Sequence, residues 1–226
     1  MRLDLMTRFL NLFRKPVQKR ILFLHVPKTG GTSINHALLD LFKGFDLADK
    51  RFCHRVKAVP AAASGRAFCE SESYAEPWKG EWLHHYEHIL SYLMEQSNLR
   101  FINGHFPFSP SLYQQYKDQF LWLTCLRHPV DRMESHYFFN RTLESDGQVI
   151  DFENDIDTFL QSRSAREQGE IYVSMLCGSG SDENYSSQSM IQRAMKALEK
   201  FDVVGGLEEM HKLERENLFR ALQHRG

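Results

Sequence analysis

Residues 21–33 read Ile21-Leu22-Phe23-Leu24-His25-Val26-Pro27-Lys28-Thr29-Gly30-Gly31-Thr32-Ser33. The first six form a short apolar run bounded by a basic stretch and a proline, the pattern of a buried parallel strand. Beyond the glycines, Ile34, Leu38, Leu41 and Phe42 recur at helical spacing. Strand, glycine turn and helix follow one another directly. Two glycines let the backbone turn tightly and approach a ligand. The N–H groups of residues 30–33 have no helical partner and lie at the positive end of the helix. Lys28 adds a charge, and Thr32 and Ser33 add hydroxyl donors. Phosphate or sulfate is the natural guest of such a turn.

The turn is not that of a nucleotide triphosphatase. That motif, G-x-x-x-x-G-K-[ST], puts its lysine after the glycines and follows it with a hydroxyl for magnesium. Here Lys28 precedes Gly30 and Gly31.

Working outward, residues 99–104 (Leu-Arg-Phe-Ile-Asn-Gly) predict a second strand. Residues 109–118 predict a helix opened by Ser109, with Pro110 at its first position. Residues 120–126 (Phe-Leu-Trp-Leu-Thr-Cys-Leu) form the strongest apolar run, and a helix is expected from His128-Pro129 to about Leu143. Helices are also expected over 84–96, 154–163, 166–177 and 187–201, a short strand over 202–205, and a closing helix over 207–223. Alternation of this kind predicts an α/β fold of P-loop-like, three-layer type, with a mainly parallel central sheet flanked by helices. Ligands of such sheets bind beyond the carboxyl ends of the strands, where the glycine turn falls. The whole chain, 1–226, reads as one domain. Residues 1–19 form a basic amphipathic segment, and 44–82, rich in Ala, Ser, Gly and Pro, read as a variable insertion.

A second anchor follows the strong strand: Leu126-Arg127-His128-Pro129-Val130-Asp131-Arg132-Met133-Glu134-Ser135-His136-Tyr137. Arg127 ends a buried strand, so its guanidinium is expected at the same sheet edge as the glycine turn. Ser135 falls eight residues on, about two turns into the next helix. Together they could clamp one phosphate, the arginine bidentately. The alternative for this segment taken alone is a buried Arg–Asp pair with a surface serine.

Taken together, the Pro27–Ser33 turn and the Leu126–Tyr137 segment closely resemble the two nucleotide-binding signatures of sulfotransferases that use 3′-phosphoadenosine 5′-phosphosulfate (PAPS). The likeness is nearest to the carbohydrate branch that includes the heparan sulfate 2-O-sulfotransferases. It covers residues 20–43 and 98–140 well and 187–210 loosely. The resemblance implies that Pro27, Lys28, Thr29, Gly30, Gly31, Thr32 and Ser33 hold the 5′-phosphosulfate. It implies that Arg127 and Ser135 hold the 3′-phosphate, and that a carbohydrate or other hydroxyl-bearing molecule is the acceptor. The insertion 44–82 is expected on the acceptor side. The resembling enzymes generally continue past the segment matching Gly205-Gly206-Leu207-Glu208-Glu209-Met210 with a loop that closes over the nucleotide. Here residues 211–226 follow, so a lid is expected from elsewhere in the chain or from sequence beyond it.

Sulfuryl transfer requires stabilisation of the leaving phosphate, removal of a proton from the alcohol, and in-line geometry, by analogy with phosphoryl transfer. Lys28 suits the charge role, and a histidine suits the proton role. Of 11 histidines, His105 is best placed, just past the second strand, and it matches the strand-Gly-His pattern that carries the base in the resembling enzymes. Some of those have a second histidine two positions earlier, where this chain has Asn103. His25 reads as core, and His136 as a neighbour of the nucleotide. His84, His85 and His88 share a helix face without an evident Glu or Cys partner, so a solvated face is expected there rather than a metal site. No metal is expected. Of the four cysteines, Cys53, Cys69, Cys125 and Cys177, no two form a Cys-x-x-Cys pair, and free thiols are expected.

With 28 basic and 29 acidic residues the chain is near neutral, which gives no general case for nucleic-acid binding. Residues 1–20 carry six basic residues and one acid, with Leu5, Met6, Phe9, Leu10 and Phe13 at helical spacing. Either a terminal helix packed on the domain or a weak membrane-surface contact fits them. Charged residues interrupt any signal-peptide core, so a cytoplasmic location is expected. Two other functions compete. An ATP-dependent kinase would need the lysine after the glycines, and a non-catalytic nucleotide-binding module would have no use for both Lys28 and His105.

Overall fold

The computed structural model describes residues 19–41, 53–56, 81–145, 155–177 and 184–208. Its centre is a five-stranded, wholly parallel sheet in the order β2-β3-β1-β4-β5. The strands are β1 (Arg20–His25), β2 (Cys53–Val56), β3 (Phe101–Gly104), β4 (Phe120–Leu126) and β5 (Val203–Gly206). The helices are α1 (Gly31–Leu41), α2 (Glu81–Glu95), α3 (Pro110–Tyr116), α4 (Pro129–Ser145), α5 (Ile156–Gln161), α6 (Arg163–Cys177) and α7 (Gln188–Leu198). The α/β expectation therefore holds, with element ends shifted by a few residues.

Strand β1 is continuous in apolar character because both its faces are covered. Ile21 and Phe23 enter one apolar cluster with Ile34 and Leu38 of α1. Leu22 and Leu24, pointing the other way by strand alternation, enter the larger cluster with Tyr86, Leu90 and Met94 of α2 and Ile171 and Met175 of α6. Helices thus lie on both faces, making three layers around a parallel sheet.

Strand β2 was not expected. It lies within the stretch read as an insertion, and its sequence Cys53-His54-Arg55-Val56 lacks an apolar run. It is an edge strand, pairing on one side with β3, with His54 and Arg55 exposed, so burial does not demand apolar residues there. The rest of the insertion, the N-terminal segment 1–18 and nearly all of the closing helix lie outside the described residues, as does Cys69. Cys53 and Cys125 are free thiols, as expected. No described helix is long and apolar enough to cross a membrane.

Two local devices hold the frame. Ser109 caps α3, its hydroxyl accepting from Leu112 N at 3.1 Å. That hydroxyl and the one of Ser111 donate to Glu87 of α2, at 2.5 and 2.8 Å. This pins α3 to α2 and confirms the Ser109–Pro110 start. At the opposite end of the sheet, Arg20 is 9% exposed. Its guanidinium donates to Met94 O at 2.7 Å, Gln96 O at 3.1 Å and Gln119 Oε1 at 2.7 Å, and lies 4.1 Å from the Phe120 ring centre. The cation thus closes the carboxyl end of α2, where the helix dipole favours it. We expect Arg20→Met to destabilise the fold by about 2–4 kcal/mol, since a charged donor is lost and buried carbonyls are left unpaired. Urea unfolding would measure it, and a midpoint equal to that of the wild type would refute this role.

Candidate functional site

The carboxyl ends of β1, β3 and β4 converge on one cavity of about 480 Å³. The first wall is the turn after β1. Lys28 adopts φ 68° and Gly30 φ 76°, so a non-glycine residue holds a left-handed conformation, at a cost of roughly 1 kcal/mol or more. Between them Thr29 is buried, and its hydroxyl donates to Val26 O at 2.8 Å. The Thr29 side chain therefore closes the turn, and Thr29 is absent from the cavity lining, which includes Thr32 and Ser33.

The glycines answer a steric demand as well as an electrostatic one. A Cβ on Gly31 would sit 1.8 Å from His25 Nε2, and one on Gly30 would sit 2.5 Å from Leu207 Cδ1. The first α1 hydrogen bond runs from Ile34 N to Gly30 O at 3.2 Å. The N–H groups of Gly31, Thr32 and Ser33 thus belong to the open first turn, beside the cavity that all three residues line.

The second wall comes from β4 and α4. Arg127, one residue past β4, lines the cavity, as do Ser135, His136, Phe139 and Asn140 from one face of α4. The buried arginine of this segment is Arg132, 1% exposed, whose guanidinium donates to Gln168 Oε1 at 3.1 Å and to Gln168 O. The alternative of a buried Arg–Asp pair therefore does not describe Arg127. Lys28 Nζ sits 3.5 Å from the centre of the Phe139 ring. Burial, and after it the Arg127 charge, lower the Lys28 pKa. Lys28, Arg127 and Arg55 of β2 line the cavity, and no carboxylate stands among its described lining residues. Such a site favours an anion.

The third wall holds the histidines. His105, directly after β3, lines the cavity. Its Nδ1 lies 2.6 Å from His25 O. A carbonyl only accepts, so Nδ1 carries the proton and neutral His105 presents a lone pair at Nε2. Burial depresses its pKa, partly offset by that hydrogen bond. His25, expected in the core, instead lines the cavity. Its ring centre lies 4.5 Å from that of His105, and burial, then His105, press its pKa to about 3. A second histidine thus does stand beside His105, but it comes from β1. Asn103 is buried and its Nδ2 contacts Cys53 Sγ at 3.7 Å.

His136, the other candidate, accepts at Nε2 from Asn140 Nδ2 at 3.0 Å. Burial and the Arg132 charge hold its pKa near 4. Its Nε2 lone pair is engaged, whereas among the described residues the bond of His105 is made through Nδ1. His84, exposed on α2, has a partner after all: it bonds Glu87 at 3.2 Å. No cluster of metal-binding type occurs among the described residues.

The structure thus brings together Pro27, Lys28, Gly30, Gly31, Thr32, Ser33, His105, Arg127 and Ser135, drawn from three separate stretches of sequence. Sequence reasoning passed over His25 and Arg55. The position of His25 at the carboxyl end of β1 was the available signal for it. For Arg55 no signal existed, because β2 itself carries none.

His25, His105 and His136 are held neutral by burial, so unfolding lets each bind a proton. Depressed folded pKa values mean their contribution is present above about pH 6.5 and is lost as pH falls toward 4 and below. The melting temperature is expected to drop over that interval, and His25→Gln should flatten the slope. A pH profile unchanged by that substitution would contradict the assignment.

The chain matches the model of the Sulfotransferase family over residues 11–220, a span that includes all three walls of the cavity. No curated protein matches it. The match covers nearly the whole sequence and contains the glycine turn, the strand-end arginine and the histidine that line one cavity: the chain belongs to the sulfotransferase family.

Proposed function

We propose that this sulfotransferase takes its sulfuryl group from PAPS and transfers it to a hydroxyl of a carbohydrate-like acceptor. The observation that carries the reading is the juxtaposition, in one cavity, of the Lys28–Ser33 turn, Arg127 with Ser135, and a His105 whose Nε2 is left as an acceptor by the bond from Nδ1 to His25 O. The turn and α1 N-terminus suit the 5′-phosphosulfate, and Arg127 with Ser135 suits the 3′-phosphate.

In the reaction, the S–O bond to the 5′-phosphate breaks as the acceptor oxygen bonds to sulfur, and the acceptor proton passes to His105 Nε2. Negative charge grows on the leaving phosphate, where Lys28 and the first-turn N–H groups can meet it. Lys28 rests on the Phe139 ring; to serve the leaving oxygen it has only to swing on its flexible stem. His25 and His136 are neutral at pH 7, so they add hydrogen-bonding capacity without fixed charge. The cation Arg55, itself within the 44–82 stretch expected on the acceptor side, lines the same cavity from the sheet edge. The carbohydrate class of that acceptor is supported by the likeness of residues 126–137 and of the strand-Gly-His segment to the carbohydrate sulfotransferases.

Calorimetric titration tests the donor. Adenosine 3′,5′-bisphosphate should bind more tightly than 5′-AMP, and ATP with magnesium should bind no better than 5′-AMP. Preference for ATP with magnesium would mean a kinase, and binding of none of them would refute the reading. For the base, His105→Ala should keep bisphosphate affinity and lose transfer by about 10²–10⁴-fold. In the wild type the acid limb of the rate profile should lie below the ordinary histidine range, because the His105 pKa is lowered. Full turnover in His105→Ala would instead move the proton role to His136.

A further inference from the structure

Arg127 stands one residue beyond β4, whose pairing with β5 ends at Leu126↔Gly206. Its peptide groups are thus outside the sheet ladder, where a backbone polar group needs another partner. Both are met by one side chain from another element. Arg127 N donates to the Tyr172 hydroxyl at 3.0 Å, and that hydroxyl donates to Arg127 O at 2.7 Å. A hydroxyl has one proton to give and lone pairs to accept with, so a single phenol serves both ends of the residue.

The phenol is itself held. Tyr172 lies on α6, one turn from Gln168, and Gln168 receives the buried Arg132 guanidinium. That guanidinium lies 5.6 Å from the Tyr172 ring centre. The next peptide is gripped from the other side, His128 N donating to Glu208 Oε1 at 2.7 Å. Burial raises the Tyr172 pKa, so the hydroxyl keeps its proton at neutral pH.

We propose that Tyr172 is a positioning residue for the donor: by clasping both backbone groups of Arg127 it aims the guanidinium at the 3′-phosphate, and so sets the preference for a 3′-phosphorylated nucleotide. The proposal rests on the PAPS reading above. Tyr172 lies outside the cavity lining, so it acts through Arg127 alone. The Tyr172→Phe substitution removes both bonds and leaves the ring in place.

Titration of wild type, Tyr172→Phe, Arg127→Ala and the double variant with adenosine 3′,5′-bisphosphate and with 5′-AMP decides the matter. We expect Tyr172→Phe to weaken the bisphosphate about tenfold, on the scale of a lost hydrogen-bonded clasp, and to leave 5′-AMP unchanged. In the Arg127→Ala background the same substitution should do nothing further, since the two act as one unit. Equal weakening of both nucleotides by Tyr172→Phe would show a general loss of structure and overturn the proposal. So would an undiminished effect in the Arg127→Ala background, or a wild-type selectivity in Tyr172→Phe. If the wild type itself binds both nucleotides alike, the PAPS reading falls, and this inference falls with it.

Discussion

Strand β1 is hydrogen-bonded along both edges and packed on both faces, and the site follows from that confinement. Its register with β3 and β4, Leu24 opposite both Gly104 and Thr124, makes the three strands end at nearly the same level. Residues from about twenty to about a hundred positions apart in sequence therefore emerge side by side: the turn after His25, His105 after Gly104, and Arg127 after Leu126. Parallel pairing alone produces this, because in an antiparallel sheet alternate strands would deliver their chain ends to opposite edges. The bond from His105 Nδ1 to His25 O then joins two of those ends directly.

The electrostatic character of the cavity comes from a division of labour between charge and burial. The cationic side chains Lys28, Arg55 and Arg127 stand in its wall, while the histidines are pushed neutral by desolvation. Protonated histidines would strengthen anion binding but would remove the lone pair that a base needs. Neighbouring cations and burial act in the same direction on His25 and His136, and on His105 they outweigh the favourable carbonyl bond. An anion entering the cavity would relax part of this bias, since it screens the histidines from the cations around them. Anion binding in this cavity and the basicity of His105 would therefore be coupled through the same charges.

What could be read from the sequence was what burial writes there. The runs 21–26 and 120–126 are apolar because both sheet faces are covered, and the Ser109–Pro110 start carries its own capping chemistry. The glycine turn and Arg127 were legible because each sits at the end of such a run. Strand β2 was not, since an edge strand with exposed His54 and Arg55 has no periodicity to show. His25 was misassigned for a related reason: it ends an apolar run, and only the three-dimensional level of the neighbouring strands shows that the run stops at a cavity. Tyr172 likewise carries no local signal. Partly buried on α6, it looks like ordinary packing until its hydroxyl is seen bridging Arg127.

The glycine pair shows why one motif can carry two kinds of constraint. Read from sequence, Gly30 and Gly31 are there so that backbone can approach an anion. In the folded chain the space over Gly31 is occupied by the His25 imidazole, and that over Gly30 by Leu207. A side chain at position 31 would displace His25, and with it the ring against which His105 packs. A side chain at position 30 would be strained by its positive φ and would press on the residue next to Glu208, which holds the peptide of His128. The glycine turn is therefore packed from behind by residues that lead to His105 on one side and to the strand-end arginine on the other. A change at Gly31 is therefore felt first at His25 and His105, and one at Gly30 at Leu207 and the Glu208–His128 contact beside Arg127.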